Sequence, residues 1–190
     1  MNFNNWFSKL GLLLLTAMVI AGFSSTAGAA GTIKIGALND MTGATSDVGK
    51  DYALGIAEAI HYINDTGGIN GKQIKLYQFD YGYRIPEALT KYNLFKRLKC
   101  AAILGWGTGD TEALAPTVAK DKIPYVSASY SGHLCDPEKT PYNLFFATDY
   151  STQARGLITA WFDKKWPQKP DYGKRKPRIA MCYMLSLIHI

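Results

Sequence analysis

Short apolar runs alternate with helix-patterned stretches along this chain, and that alternation constrains the fold more than any other feature. Residues 33–38 read as a strand. A helix follows over about residues 47–64, where Tyr52, Ile56, Ile60 and Ile63 fall on one apolar stripe. Ser46 or Asp47 is placed to cap its start, Gly67-Gly68 to end it, and Asn70-Gly71 to turn the chain into a second strand at 74–79. Pro86 and Glu87 open a second helix, with Leu89, Tyr92, Phe95 and Leu98 as its buried stripe. Residues 101–104 form a short, wholly apolar strand. A third helix then runs to near Lys120, restarted or kinked at Pro116. Residues 124–128 make a fourth strand, 129–143 a long loop without helical pattern, and 144–147 another strand. Residues 151–166 read as a helix burying Leu157, Ile158 and Trp161, and 178–183 as a last strand. Strands separated by helices imply an α/β fold: an open, mainly parallel sheet with helices on both faces.

The ends of the chain set its compartment. Lys9 is the sole charge before Lys34, an apolar run follows from Leu10, and the exit Ala27-Gly28-Ala29 is small-residue rich. These are the three parts of a cleaved signal peptide over residues 1–29, and the run is short for a membrane span of roughly 20 residues. The protein is therefore expected in the periplasm. Hydrophobic content of 47% supports a core, and the net charge of +6 is mild. Much of it lies in Lys164, Lys165, Lys169, Lys174, Arg175, Lys176 and Arg178, amid prolines, which reads as a solvated surface loop. No basic stripe is interleaved with stacking aromatics, so nucleic-acid binding is not expected. Cys100, Cys135 and Cys182 show no metal-ligand spacing. Cys100 and Cys182 fall in strand-like runs as buried thiols, and an oxidising compartment permits a Cys100–Cys135 pair.

In an open α/β sheet, ligands bind beyond the carboxyl ends of the strands. Three polar loops occupy those ends here, at residues 39–46, 105–111 and 129–131. Their glycines allow close backbone approach, a helix start offers free N–H groups to an anion, and hydroxyls suit a zwitterion. Trp106, Tyr130 and Tyr150 can wall an apolar part. Ordinary strand–helix turns use the same residue types, so both readings stand on the local pattern alone.

Three segments carry a resemblance: IKIGALNDMTG at 33–43, INDTGGING at 63–71 and KIPYVS at 122–127. They resemble the type I periplasmic solute-binding proteins of ABC importers, in the leucine/isoleucine/valine-binding branch, and the similarity runs over about residues 32–183. The resemblance implies two α/β lobes joined by a hinge, with an amino acid or similar small solute held between them. On it, residues 30–150 are the N-terminal ligand-binding lobe. Residues 151–183 are the hinge crossing and first elements of the second lobe, and 184–190 a non-native tail. It implies no enzyme activity and no cofactor, an ABC permease of the inner membrane as partner, and a monomer. By matching position it implies ligand contacts from Trp106, Gly107, Thr108 and Gly109, from Ser129, Tyr130 and Ser131, and from Asp149 and Tyr150. Relatives often carry Ser in the first of these loops; here Thr108 is expected to supply the hydroxyl.

Other readings fit less well. The Gly105–Gly109 run is G-x-G-x-G after the third strand, without the spacing of a dinucleotide loop or the Lys of a P-loop. Ser127, Ser129 and Ser131 are not in a nucleophile elbow. His61 is expected on a helix surface or in packing, and His133 lacks a nucleophile partner. A ligand-sensing receptor domain of the same fold remains the alternative to a transport component.

Overall fold

The structure is a computed structural model that describes residues 31–180. The signal-peptide reading, Cys182, residues 181–183 of the last expected strand and the tail at 184–190 lie outside the described residues.

Strand β1 (Ile33–Asn39) is followed by helix α1 (Ser46–Asp65), β2 (Ile74–Asp80), α2 (Ile85–Leu98), β3 (Ala102–Leu104), α3 (Thr108–Asp121) and β4 (Tyr125–Val126). A short 3-10 turn (Gly132–Cys135), β5 (Asn143–Leu144), α4 (Tyr150–Lys164) and a second 3-10 turn (Trp166–Gln168) complete the order. The strands form one sheet in the order β2-β1-β3-β4-β5, and each neighbouring pair is parallel. Because the chain leaves β1 for β2 on one side and returns to β3 on the other, the crevice opens at the carboxyl ends of β1 and β3.

Alternation along β1 separates the two faces. Gly36 faces α2, and a Cβ there would sit 2.7 Å from the Phe95 ring. Leu38, Tyr81, Ala88, Tyr92, Phe95, Ile103, Leu114, Val118 and Tyr125 make the core on that side. On the other face Gln78 of β2 donates to the Ala53 carbonyl of α1 at 2.9 Å and to Asn39 Oδ1 at 2.8 Å. The helices α2 and α3 are joined at Asp121, which accepts from Tyr92 at 3.0 Å and pairs with Lys96 at 2.7 Å. Each large side chain sealed here contributes about 1.5–3 kcal/mol relative to exposure.

Several local expectations are corrected. The N-cap of α1 is Thr45, not Ser46 or Asp47, because the preceding loop is already closed around Asp40. Tyr92 and Phe95 are buried on α2 as expected, but Ala88 joins them in place of Leu89, which is exposed, because Phe95 lying over Gly36 sets the phase of the helix. Helix α3 continues through Pro116 without a restart. The long loop after β4 contains the 3-10 turn, and the next strand pairs through Asn143 and Leu144 rather than 144–147. Residues 178–180 adopt no regular strand. Leu157 is exposed and no residue of α4 is fully buried; Ile158 and Trp161 are half-buried, with the Trp161 ring 5.7 Å from Trp166 of the second 3-10 turn. Cys100 is buried and Cys135 exposed, both free, so no bridge joins them. The basic side chains from Lys164 to Arg178 are exposed, and Arg175 pairs with Asp171 at 2.6 Å.

A candidate ligand site at the strand ends

Helix α3 begins immediately beyond β3, so its first turn faces the crevice. The N–H groups of Thr108 and Gly109 have no intrahelical acceptor there. Gly107 is different: its N–H donates inward to Asp110 Oδ1 at 2.9 Å. The space that a Cβ on Gly107 would take is filled by the Tyr83 ring, 2.5 Å away. Gly105 is likewise required by the Tyr125 ring. These glycines serve packing beneath the loop, a use the sequence pattern did not separate from ligand approach.

Asp110 anchors this turn. It is fully buried, and its carboxylate accepts from Tyr81 at 2.6 Å, from Tyr125 at 2.9 Å and from the Gly107 N–H. Burial pushes its carboxyl above the ordinary range, while the Tyr81 and Tyr125 hydroxyls and the backbone donors pull it back. Both tyrosines are held neutral, first by burial and then by the Asp110 charge.

The hydroxyls sit above this anchor in two layers. The lower one is internal: Thr111 Oγ1 donates to the Gly107 carbonyl at 2.5 Å and lies 2.8 Å from Ser127 Oγ, which accepts from the Ser129 N–H at 2.9 Å. The upper layer joins Thr108 to Ser129 at 2.7 Å, with Ser131 Oγ 3.5 Å from Ser129. Thr108 and Ser131 are part-exposed, whereas Ser129 is buried.

Between Ser129 and Ser131 the chain carries Tyr130, the centre of an aromatic cluster. Tyr130 meets Tyr150 and Phe145 edge-on at 5.7 Å each, and Phe146 at 5.3 Å. The Tyr150 N–H donates to the Tyr130 carbonyl at 2.9 Å, which ties the start of α4 to the loop after β4. Asp149 caps α4: its carboxylate accepts the Thr152 N–H at 3.0 Å and the Thr152 hydroxyl at 2.7 Å. A Cβ on Gly132 would lie 3.7 Å from Asp149 Oδ1, so the cap borders the Ser131 loop. Trp106 stands on the β1 side, with Tyr52 at 5.0 Å. Burial, then Tyr130, pushes the Tyr52 hydroxyl up to about 12.

The structure thus brings the residues of the β3 and β4 loops and of the α4 start into one neighbourhood. Tyr52, expected only as part of the α1 stripe, and Thr45, expected only as part of the 39–46 loop, also belong to it, as does Tyr83, for which the sequence carries no signal. Tyr83 has φ 55°, a left-handed value rare for an aromatic residue, beside Gly82 at φ 56°. His133 lies next to the site and pairs with Glu112 of α3 at 2.7 Å. His61 is exposed on α1.

The sequence profile described as periplasmic binding protein matches residues 32–169. The chain belongs to the periplasmic binding protein family. A Pseudomonas aeruginosa protein named leucine-, isoleucine-, valine-, threonine-, and alanine-binding protein is 44% identical over 62 residues, covering 33% of this chain and 17% of that one. An ABC transporter substrate-binding protein from Aeropyrum pernix has a solved structure 43% identical, with TM-score 0.64, covering 70% of this chain and 36% of that one. The branched-chain amino acid transporter substrate-binding protein of Streptococcus pneumoniae, solved with isoleucine, is 28% identical with TM-score 0.61, covering 72% and 39%. The chain therefore spans well under half the length of these family members.

Proposed function

We propose that this chain forms one wall of a two-lobed cleft that captures an amino-acid-like solute in the periplasm for an ABC importer of the inner membrane. The observation that carries the reading is the hydroxyl group of three, Thr108, Ser129 and Ser131, beside the first turn of α3, with Tyr130 between the two serines in the chain and packed edge-on against Tyr150. N–H groups and hydroxyls suit a carboxylate, and Tyr130 and Tyr150 shelter an apolar side chain. The names of the similar proteins, which concern branched-chain and small amino acids, support the ligand class. Trp106, Gly107, Thr108, Gly109, Ser129, Tyr130, Ser131, Asp149 and Tyr150 are the proposed contact set. Within it Thr108 and Ser131 hold the charged end, and Gly107 contributes through its backbone shape, since its N–H is committed to Asp110. The protein binds and releases without bond chemistry, acting as a monomer toward its permease.

Titration of the isotopically labelled chain with a panel of L-amino acids tests this, because chemical-shift changes detect even millimolar binding. The expected result is a saturable shift centred on Thr108, Gly109, Ser129 and Ser131. Shifts confined to other elements, or none with any amino acid, overturn it.

A further inference from the structure

Three residues from two loops form a polar chain across the β1 side of the site. Asp40 is fully buried, and its Oδ2 accepts the Thr45 N–H at 2.7 Å and the Thr45 hydroxyl at 2.8 Å. Its Oδ1 accepts the Gly43 N–H at 2.6 Å. The Thr45 hydroxyl in turn accepts from Trp106 Nε1 at 2.7 Å.

The direction of every bond in this chain is fixed by chemistry. An ionised carboxylate only accepts, and an indole N–H only donates. The Thr45 hydroxyl must therefore give its one proton to Asp40 and a lone pair to Trp106. A hydroxyl with both roles committed cannot rotate, and a charged acceptor strengthens the links behind it. The indole is held on a second side by Tyr52, whose ring lies 5.0 Å away and whose hydroxyl reaches the Gly105 carbonyl at 3.3 Å. The result is a half-buried aromatic plane beside the β3 loop, locked by a residue in the β1 loop, 61 positions earlier in the chain.

We propose that Thr45 is a positioning residue for specificity: by fixing the Trp106 ring it sets how large a side chain the site admits. The proposal rests on the ligand reading above and extends it to a residue outside the proposed contact set. Thr45→Ser retains the hydroxyl and both bonds. Thr45→Val keeps the shape, deletes both, and leaves the indole N–H without its acceptor. The ring is then free to swing, and the discrimination between large and small side chains relaxes.

Two readouts on the full chain decide it. The first is solvent exchange of the Trp106 indole proton, its resonance assigned by its loss in Trp106→Phe. Exchange is expected to rise about tenfold or more in Thr45→Val and to stay at the wild-type rate in Thr45→Ser. The second is the ratio of affinities for phenylalanine and alanine from shift titrations, expected to change by about fivefold in Thr45→Val and not in Thr45→Ser. Unchanged exchange in Thr45→Val, an unchanged ratio, or Thr45→Ser behaving like Thr45→Val overturns the proposal. If the wild type binds no amino acid, the ligand class fails and the size role of Thr45 fails with it, while the exchange rates still decide whether Thr45 fixes the ring.

Discussion

The hydroxyls of Thr108 and Ser129 lie 2.7 Å apart, so the first turn of α3 and the loop after β4 share a hydrogen bond directly over the crevice. One proton lies between the two oxygens, and the second goes from Ser129 to Ser131 Oγ over a long 3.5 Å, a contact weak enough to be exchanged for a better acceptor. A ligand carboxylate is the acceptor that uses that proton best, because a charged partner strengthens the bond.

Thr108→Val is therefore expected to weaken amino-acid binding by about 1.5–3 kcal/mol, or roughly tenfold to a hundredfold. Ser131→Ala should weaken it in the same direction. Thr117→Val, farther along α3, should leave affinity unchanged. Shift titrations of the three variants check this. Equal losses in all three mean that folding, not the site, is being measured.

Asp110 is the acceptor for two tyrosine hydroxyls and a backbone N–H in a fully buried position. Asn at this position offers one acceptor oxygen and turns an NH2 group toward donors. Asp110→Asn should cost on the order of 3 kcal/mol of stability, read from urea unfolding. Tyr125→Phe should cost less, about 1–2 kcal/mol, since it removes one donor and leaves the others in place.

Two glycines of α1 should respond oppositely to the same change. A Cβ on Gly49 would collide with the Asp40 carbonyl, which belongs to the loop that carries Thr45. Gly49→Ala should destabilise by about 1–3 kcal/mol through that collision. A Cβ on Gly55 meets nothing, and Gly55→Ala should stabilise by about 0.5–1 kcal/mol through the helix backbone. Thermal or urea unfolding of the two variants checks the signs.

The cap of α4 should depend on pH. The Thr152 hydroxyl, and then its N–H, hold the Asp149 carboxyl below its ordinary value. The folded value is thus below the unfolded one, so the cap is complete above the ordinary carboxylate range and is lost as pH falls through the lowered value. Backbone chemical shifts over residues 150–153 should report fraying on acidification. Asp149→Asn, which still caps, should flatten that pH dependence, and Asp149→Ala should fray at every pH.

Much of the fold was legible in the sequence because periodicity and punctuation agreed. The stripe on α1, Pro86 at the start of α2 and the glycines after residue 66 each had one local cause, and each element formed where that cause put it. The reading failed where packing decided. Leu89 has the right chemistry for a core, but the phase of α2 is set by Phe95 lying over Gly36, which puts Ala88 inside instead. Spacing groups Leu157, Ile158 and Trp161 on α4 but carries no information about how far a partner covers them: Trp166 meets Trp161, Ile158 is half-buried, and Leu157 stays exposed. At the site, the polar loops were visible as clusters of Ser, Thr and Gly. The inward commitment of Gly107 was not, because it depends on Asp110 meeting tyrosines from β2's end and from β4. The Thr45–Trp106 bond joins positions far apart in the chain, and no local pattern signals such a pair.

The sheet narrows across its width: β1 and β2 pair in register over seven residues, β4 and β5 over two. Backbone bonding is densest under the loop that holds Asp40 and sparsest under the segment leading to β5. In that segment Pro137, Glu138 and Lys139 are exposed, while Thr140 and Asn143 on the far side both donate to the Leu134 carbonyl and close the loop at its base. A peptide spliced in at residues 137–139 would meet solvent above a base that is already clamped. That makes this stretch a natural insertion point for a reporter or affinity tag, placed on the side of the molecule where the scaffold has the fewest strand bonds to lose.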